Sequence, residues 1–102
     1  MNAKSALASM LILFSAWVLW AKEYGEGRRE LWTVKNAYET AKECKEAALG
    51  FVDITTRYWQ AAGDTVTPYP HEPEGLHIVQ PAGTSFFISF KCIPDTLDPR
   101  PK

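Results

Sequence analysis

Ser85-Phe86-Phe87-Ile88-Ser89-Phe90-Lys91-Cys92 decides the architecture of this chain. In an extended strand successive side chains point to opposite faces. Phe86, Ile88, Phe90 and Cys92 therefore share one face, and Ser85, Phe87, Ser89 and Lys91 take the other. A strand with one apolar face must bury it against a second layer. Upstream, Pro81-Ala82-Gly83-Thr84 reads as a turn and Leu76-His77-Ile78-Val79-Gln80 as its partner strand. The two form a hairpin.

The second layer is a helix. Thr40-Ala41-Lys42-Glu43 has capping-box spacing: the Thr40 hydroxyl accepts from the Glu43 amide, and the Glu43 carboxylate reaches back. Ala41, Cys44, Ala48, Phe51, Thr55, Tyr58 and Ala62 then recur at three- and four-residue steps as one apolar stripe. Lys42, Glu43, Lys45 and Glu46 fall off it. Gly50 costs about 1 kcal/mol relative to Ala, yet the stripe continues past it in phase. One helix to Ala62, stopped by Gly63-Asp64, is the expectation.

Before the helix, Trp17-Val18-Leu19-Trp20-Ala21-Lys22-Glu23-Tyr24 suits a strand. The turn Gly25-Glu26-Gly27-Arg28 and a return strand, Leu31-Trp32-Thr33-Val34-Lys35, complete a first hairpin. Between helix and second hairpin, Thr65 to Gly75 holds Pro68, Pro70 and Pro73 and reads as a loop. The expected fold is α+β: a small ββαββ domain, with an antiparallel sheet and one helix packed on one face. Residues 17–92 form that domain, residues 93–102 a proline-rich extended tail, and residues 1–16 a signal peptide or N-terminal anchor.

Ser5 to Ala21 carries no charge and follows a head whose only charged side chain is Lys4. A basic start before an apolar stretch is the pattern of a secretory signal. Seventeen helical residues span roughly 25 Å, short of the ~30 Å hydrocarbon core. Cutting after Ala16 leaves Phe14 at −3, and cutting after Ala21 leaves Leu19 there. Neither is a good site. Because Trp17 onward suits a strand, a signal ending near Ala16 is favoured over a retained inner-membrane anchor or a buried N-terminal helix. The favoured location is exported, periplasmic or extracellular, with membrane contact only through the apolar segment if it stays uncleaved.

Cys44 lies on the apolar stripe and Cys92 on the apolar face of the last strand. If those faces pack together, both sulfurs point into one layer. Two cysteines in an exported chain are expected to pair. Closing that loop would stabilise the fold by about 4 kcal/mol. A redox-active pair usually has CxxC spacing, absent here. A zinc site from Cys44, Cys92, His71 and His77 lacks paired-ligand spacing.

Composition narrows function. The chain is 46% hydrophobic and 13% aromatic with net charge −1, so it is globular and without the basic stripe that nucleic acid requires. His71-Glu72-Pro73-Glu74-Gly75-Leu76-His77 gathers acid/base and metal-binding residue types, but its prolines forbid the helix an HExxH site needs. A flexible surface loop is the plainer reading. Asp95 and Asp98 suit turns rather than paired acid/base work. Ser85 and Ser89 have no nucleophile elbow. No cofactor or metal and no catalytic residue is expected. Trp17 and Trp20 fall on opposite faces of one strand, so with Trp32 they leave one indole exposed, a hint of partner contact.

Trp17-Val18-Leu19-Trp20, Ala37-Tyr38-Glu39-Thr40-Ala41-Lys42-Glu43-Cys44 and Cys92-Ile93-Pro94-Asp95-Thr96-Leu97-Asp98-Pro99-Arg100 together resemble a family of small uncharacterised exported bacterial proteins. Its pattern is a signal, a WVLW-like strand, an AYET..EC-like helix start and a C-x-PDT-x-DPR tail. The resemblance implies export and a Cys44–Cys92 pairing, and no chemistry. The Thr65 to Gly75 segment falls outside it. The expected function is an exported, non-enzymatic interaction or structural domain of the envelope or periplasm, contacting an envelope protein. The alternative is a small-ligand or metal-binding protein using the His71 to His77 loop.

Overall fold

A computed structural model describes residues 16–72 and 74–101. The apolar N-terminal stretch up to residue 15 lies outside them. The fold is α+β: strands β1 (Trp17–Gly25) and β2 (Arg28–Tyr38), helix α1 (Ala41–Ala61), then β3 (Thr65–Pro68), β4 (Gly75–Val79) and β5 (Ser85–Pro94). The five strands make one antiparallel sheet in the order β2-β1-β5-β4-β3. Among the described residues no helix is long and apolar enough to cross a membrane.

The helix begins as its cap dictates. Thr40 Oγ1 accepts from the Glu43 amide at 3.1 Å and donates to the Glu43 carboxylate at 3.0 Å. The helix runs through Gly50 and ends at Ala61, where Gly63 turns the chain at a φ of 95° that other residues rarely adopt. One step of the stripe differs from expectation. Trp59, not Tyr58, packs inward against Phe86 at 5.3 Å, and Tyr58 stands 66% exposed with its ring edge-on to Trp59. After Thr55 a period of 3.6 falls between the two positions, and the larger indole takes the inner one.

Beneath the helix lies the core: Leu19, Ala21, Cys44, Ala48, Ile78, Phe86, Ile88 and Phe90. The β1–β5 register sets Leu19 opposite Cys92 and Ala21 opposite Phe90, so these side chains share the helix face.

Four expectations need correction. Thr65–Pro68 is a four-residue edge strand, not a loop, with Val66 opposite Ile78 and Thr67 opposite His77. Its β-branched residues suit a strand, and proline is tolerated at the end of an edge because no ladder bond is lost there. The order is thus ββαβββ rather than ββαββ. Ser89, expected on the polar face of the strand, is buried there. His71, Glu72 and Glu74, expected in a flexible surface loop, are held against the sheet, where the Glu72 carboxylate accepts from Tyr24 on the face opposite the helix, while Gly75 to His77 belong to β4. Finally, β5 continues two residues past Cys92 to Pro94, and the tail returns to the sheet, with the Arg100 guanidinium 5.7 Å from the Trp20 ring.

Candidate functional site

The sheet has three free edges of different character. β2 is long and exposed, but carries Arg28, Arg29, Glu30 and Lys35 and irregular pairing near both ends. Charges and bulges of this kind discourage edge-to-edge pairing. β3 is four residues long and ends in proline. The third edge is internal. β4 starts at Gly75 opposite Ser89, whereas β5 continues to Pro94, so half of β5 runs on without a neighbour on that side.

The backbone direction of this half-strand follows from two bonds. Asp95 N–H donates to Ala16 C=O at 3.2 Å, which places odd-numbered residues of β5 toward β1. Phe90 N–H donates to Glu74 C=O at 3.0 Å, on the opposite side. The Phe90 C=O and the Cys92 N–H and C=O therefore face the open edge. Among the described residues, no main-chain group there bonds to them.

A slot of about 510 Å³ follows this edge. One wall is the start of α1, with Ala41 and Lys45, beside Trp17. The other is a strap of residues 69–72 and 74, with His71, Glu72 and Glu74. Phe90, Lys91, Cys92 and Ile93 form the floor. The Cys44–Cys92 disulfide, with its Cα atoms 6.0 Å apart, ties the helix wall to the floor strand.

The strap is held by a polar latch. Tyr24 OH donates to Glu72 Oε1 at 2.7 Å, and Lys91 Nζ lies 2.9 Å from Glu72 Oε2. Burial alone would raise the Glu72 pKa, but the hydrogen bonds from Tyr24 and Lys91 outweigh it and hold the carboxyl below its ordinary value. Burial, and then the neighbouring Glu72 carboxylate, push the Tyr24 hydroxyl well above its ordinary value. Ser89 lies under this latch. Its hydroxyl favours the ionised forms of both neighbours yet makes no hydrogen bond of regular geometry.

Gly75 makes the latch possible. A Cβ there would stand 2.9 Å from the Glu72 Cβ and 3.1 Å from the Glu72 carbonyl oxygen. Aromatic contacts complete the attachment: Tyr69 lies 4.7 Å from Phe87, and His77 and Tyr24 stack on opposite sides of the same ring, in the cross-strand row their register sets.

Electrostatically the slot is balanced. Lys91 is paired with Glu72, and Lys45 lies 3.9 Å from Glu74. His71 turns its ring toward Tyr69 at 5.2 Å while His77 stacks on Phe87 at 4.6 Å, so the two histidines serve different contacts. Among the described residues no group of three or more His, Cys, Asp or Glu is placed to hold a metal ion.

The tryptophans divide as their alternation requires. Trp17 is half-buried on the helix side and lines the slot. Trp20, on the far face, is not exposed: it is 8% accessible beneath Trp32, 6.1 Å away edge-on, and Arg100. Trp32 is half-buried and donates from Nε1 to Glu30. The spare indole expected from the sequence is absorbed by these contacts. The residues that reasoning from sequence missed are Lys45 and Lys91, whereas Glu72 and Glu74 were singled out in the His71 to His77 run but not as parts of a latch. Their signal was slight: a glycine beside a histidine-and-glutamate run, and a lysine on the polar side of the last strand.

No family model matches this chain, and neither curated proteins nor solved structures provide a match.

Proposed function

We propose that this chain is an exported, non-enzymatic interaction domain of the envelope or periplasm, and that it captures a segment of another envelope protein in the slot along β5. One observation carries the reading: a slot walled by α1 and the strap opens beside β5, where among the described residues the Cys92 main chain has no partner on that side. The disulfide between wall and floor is compatible with export, where such bonds persist. With Lys45, Glu74, Lys91 and Glu72 paired among themselves, the slot offers Trp17, Ala41, Phe90 and Ile93 as contact surface and no nucleophile–base pair. The histidine segment serves as a wall rather than as a ligand set.

Site-specific photocrosslinking in the exporting cell tests this. A benzophenone side chain in place of Ile93 is expected to give a discrete adduct with an envelope protein, and one in place of Arg29 on β2 to give none. Ala41→Trp, which fills the slot from a helix position exposed to solvent, is expected to abolish the Ile93 adduct. Equal adducts from both positions, or none from Ile93, would refute the proposal.

A further inference from the structure

A second cleft lies on the other flank of α1. The slot meets the helix at Ala41 and Lys45. With about 3.6 residues per turn, Phe51, Thr55 and Tyr58 stand on the opposite flank. Between them and β1 opens a cleft of about 210 Å³. Ala21 makes the room: it stands opposite Phe90 on the helix face of β1, where its methyl leaves depth that a larger side chain would fill. The lining is aromatic. Phe51 and Phe90 lie nearly parallel with ring centres 5.7 Å apart, and Tyr58 and Trp59 meet edge-on at 5.3 Å.

Two charges on the rim differ in standing. Glu23 lies 3.6 Å from Arg28. The Lys35 ammonium, among the described residues, has no ion pair, side-chain hydrogen bond or ring contact. The backbone puts it there. Leu19 stands opposite Asn36 and Trp20 opposite Val34, so Lys35 is the extra residue of a β-bulge. A bulge interrupts strict alternation and re-aims a side chain. Here it brings Lys35 to the cleft.

We propose that this cleft binds a small aromatic monocarboxylate, with its ring against Phe51, Tyr58 and Phe90 and its carboxylate on Lys35. An apolar cavity of about 150 Å³ admits one benzene ring, so the cleft has room for a ring and a short chain. Aromatic walls favour a ring over an aliphatic body, because stacked and edge-on pairs gain beyond their buried area. One uncompensated positive charge selects a single negative one. An amine would instead have to compete with Arg28 for Glu23. Thr55 and Tyr58 add hydroxyl donors to the same lining. This binding does not depend on any occupant of the slot.

The test titrates the oxidised full chain with phenylpropionate, phenylpropanol and phenylpropylamine, followed by amide chemical shifts. Phenylpropionate is expected to bind with a Kd of about 1 mM or tighter, shifting Phe51, Thr55 and Tyr58 and leaving His71 and Ile93 in place. The amine is expected to bind most weakly. Lys35→Gln, on an exposed strand, is expected to weaken phenylpropionate about threefold or more, the scale of a solvent-facing ion pair, and to leave phenylpropanol unchanged. Lys35→Glu is expected to reverse the order of acid and amine. No shift at the three cleft residues up to about 10 mM, shifts at His71 and Ile93 instead, or an acid affinity indifferent to Lys35→Gln would each overturn the proposal.

Discussion

The two faces of the sheet are held by different physics. On the helix face Leu19, Ile78, Phe86 and Phe90 are buried to 5% exposure or less, and a disulfide crosses the layer. Burial of this kind is non-directional and independent of pH. On the far face the described residues form no second layer of secondary structure. A strap and a tail cover part of it, the strap fixed by the Tyr24–Glu72–Lys91 latch and by Tyr69 against Phe87, the tail by Arg100 over the Trp20 ring. These contacts are directional and depend on charge state. The lesson is that the helix face sets whether the chain folds, and the far face sets how one wall of the slot is placed.

The largest effect expected from breaking that contrast lies on the helix face. Replacing both Cys44 and Cys92 with serine, or reducing the bond, is expected to lower the free energy of unfolding by about 4 kcal/mol, read by denaturant titration. Next comes the far face. Gly75→Ala forces the strap away from the sheet and is expected to cost about 1–3 kcal/mol, while the Tyr24 hydroxyl titrates nearer its ordinary value. A Tyr24 titration unchanged in that variant would show that the strap does not depend on the close approach at Gly75.

The smallest effect is one of pH. Because the folded-state pKa of Glu72 is depressed, its contribution to stability is present above the ordinary carboxyl range and is lost as pH falls through the folded value. Tyr24 works in the other direction: its raised value means stability falls as pH climbs past about 10. Thermal unfolding followed over roughly pH 3–5 is expected to show a steeper decline for wild type than for Glu72→Gln. Equal slopes would assign the acid sensitivity to other carboxylates.

How much was legible beforehand varies by element. The hairpin of Trp17 to Lys35, the helix with its Thr40 cap, and the apolar face of Ser85 to Cys92 could be read directly, because period and capping are local properties. The disulfide could be read once two apolar faces were assumed to meet. The β3 strand could not, since Pro68 counts against a strand until one knows that it sits at an edge. Ser89 was misplaced for a related reason: alternation says which face a side chain takes, not what later covers that face.

The sequence by itself determined the helix, the main strands and the layer in which both sulfurs lie, because side-chain periodicity fixes which face each residue turns inward. Only the tertiary structure decided that β4 begins late enough to leave the Cys92 main chain, among the described residues, without a partner on that side, that Gly75 lets Glu72 reach Tyr24 and Lys91, and that a slot opens beside Trp17. Those outcomes depend on where one strand stops against another. Relative register between distant segments is set by packing, and no local pattern encodes it.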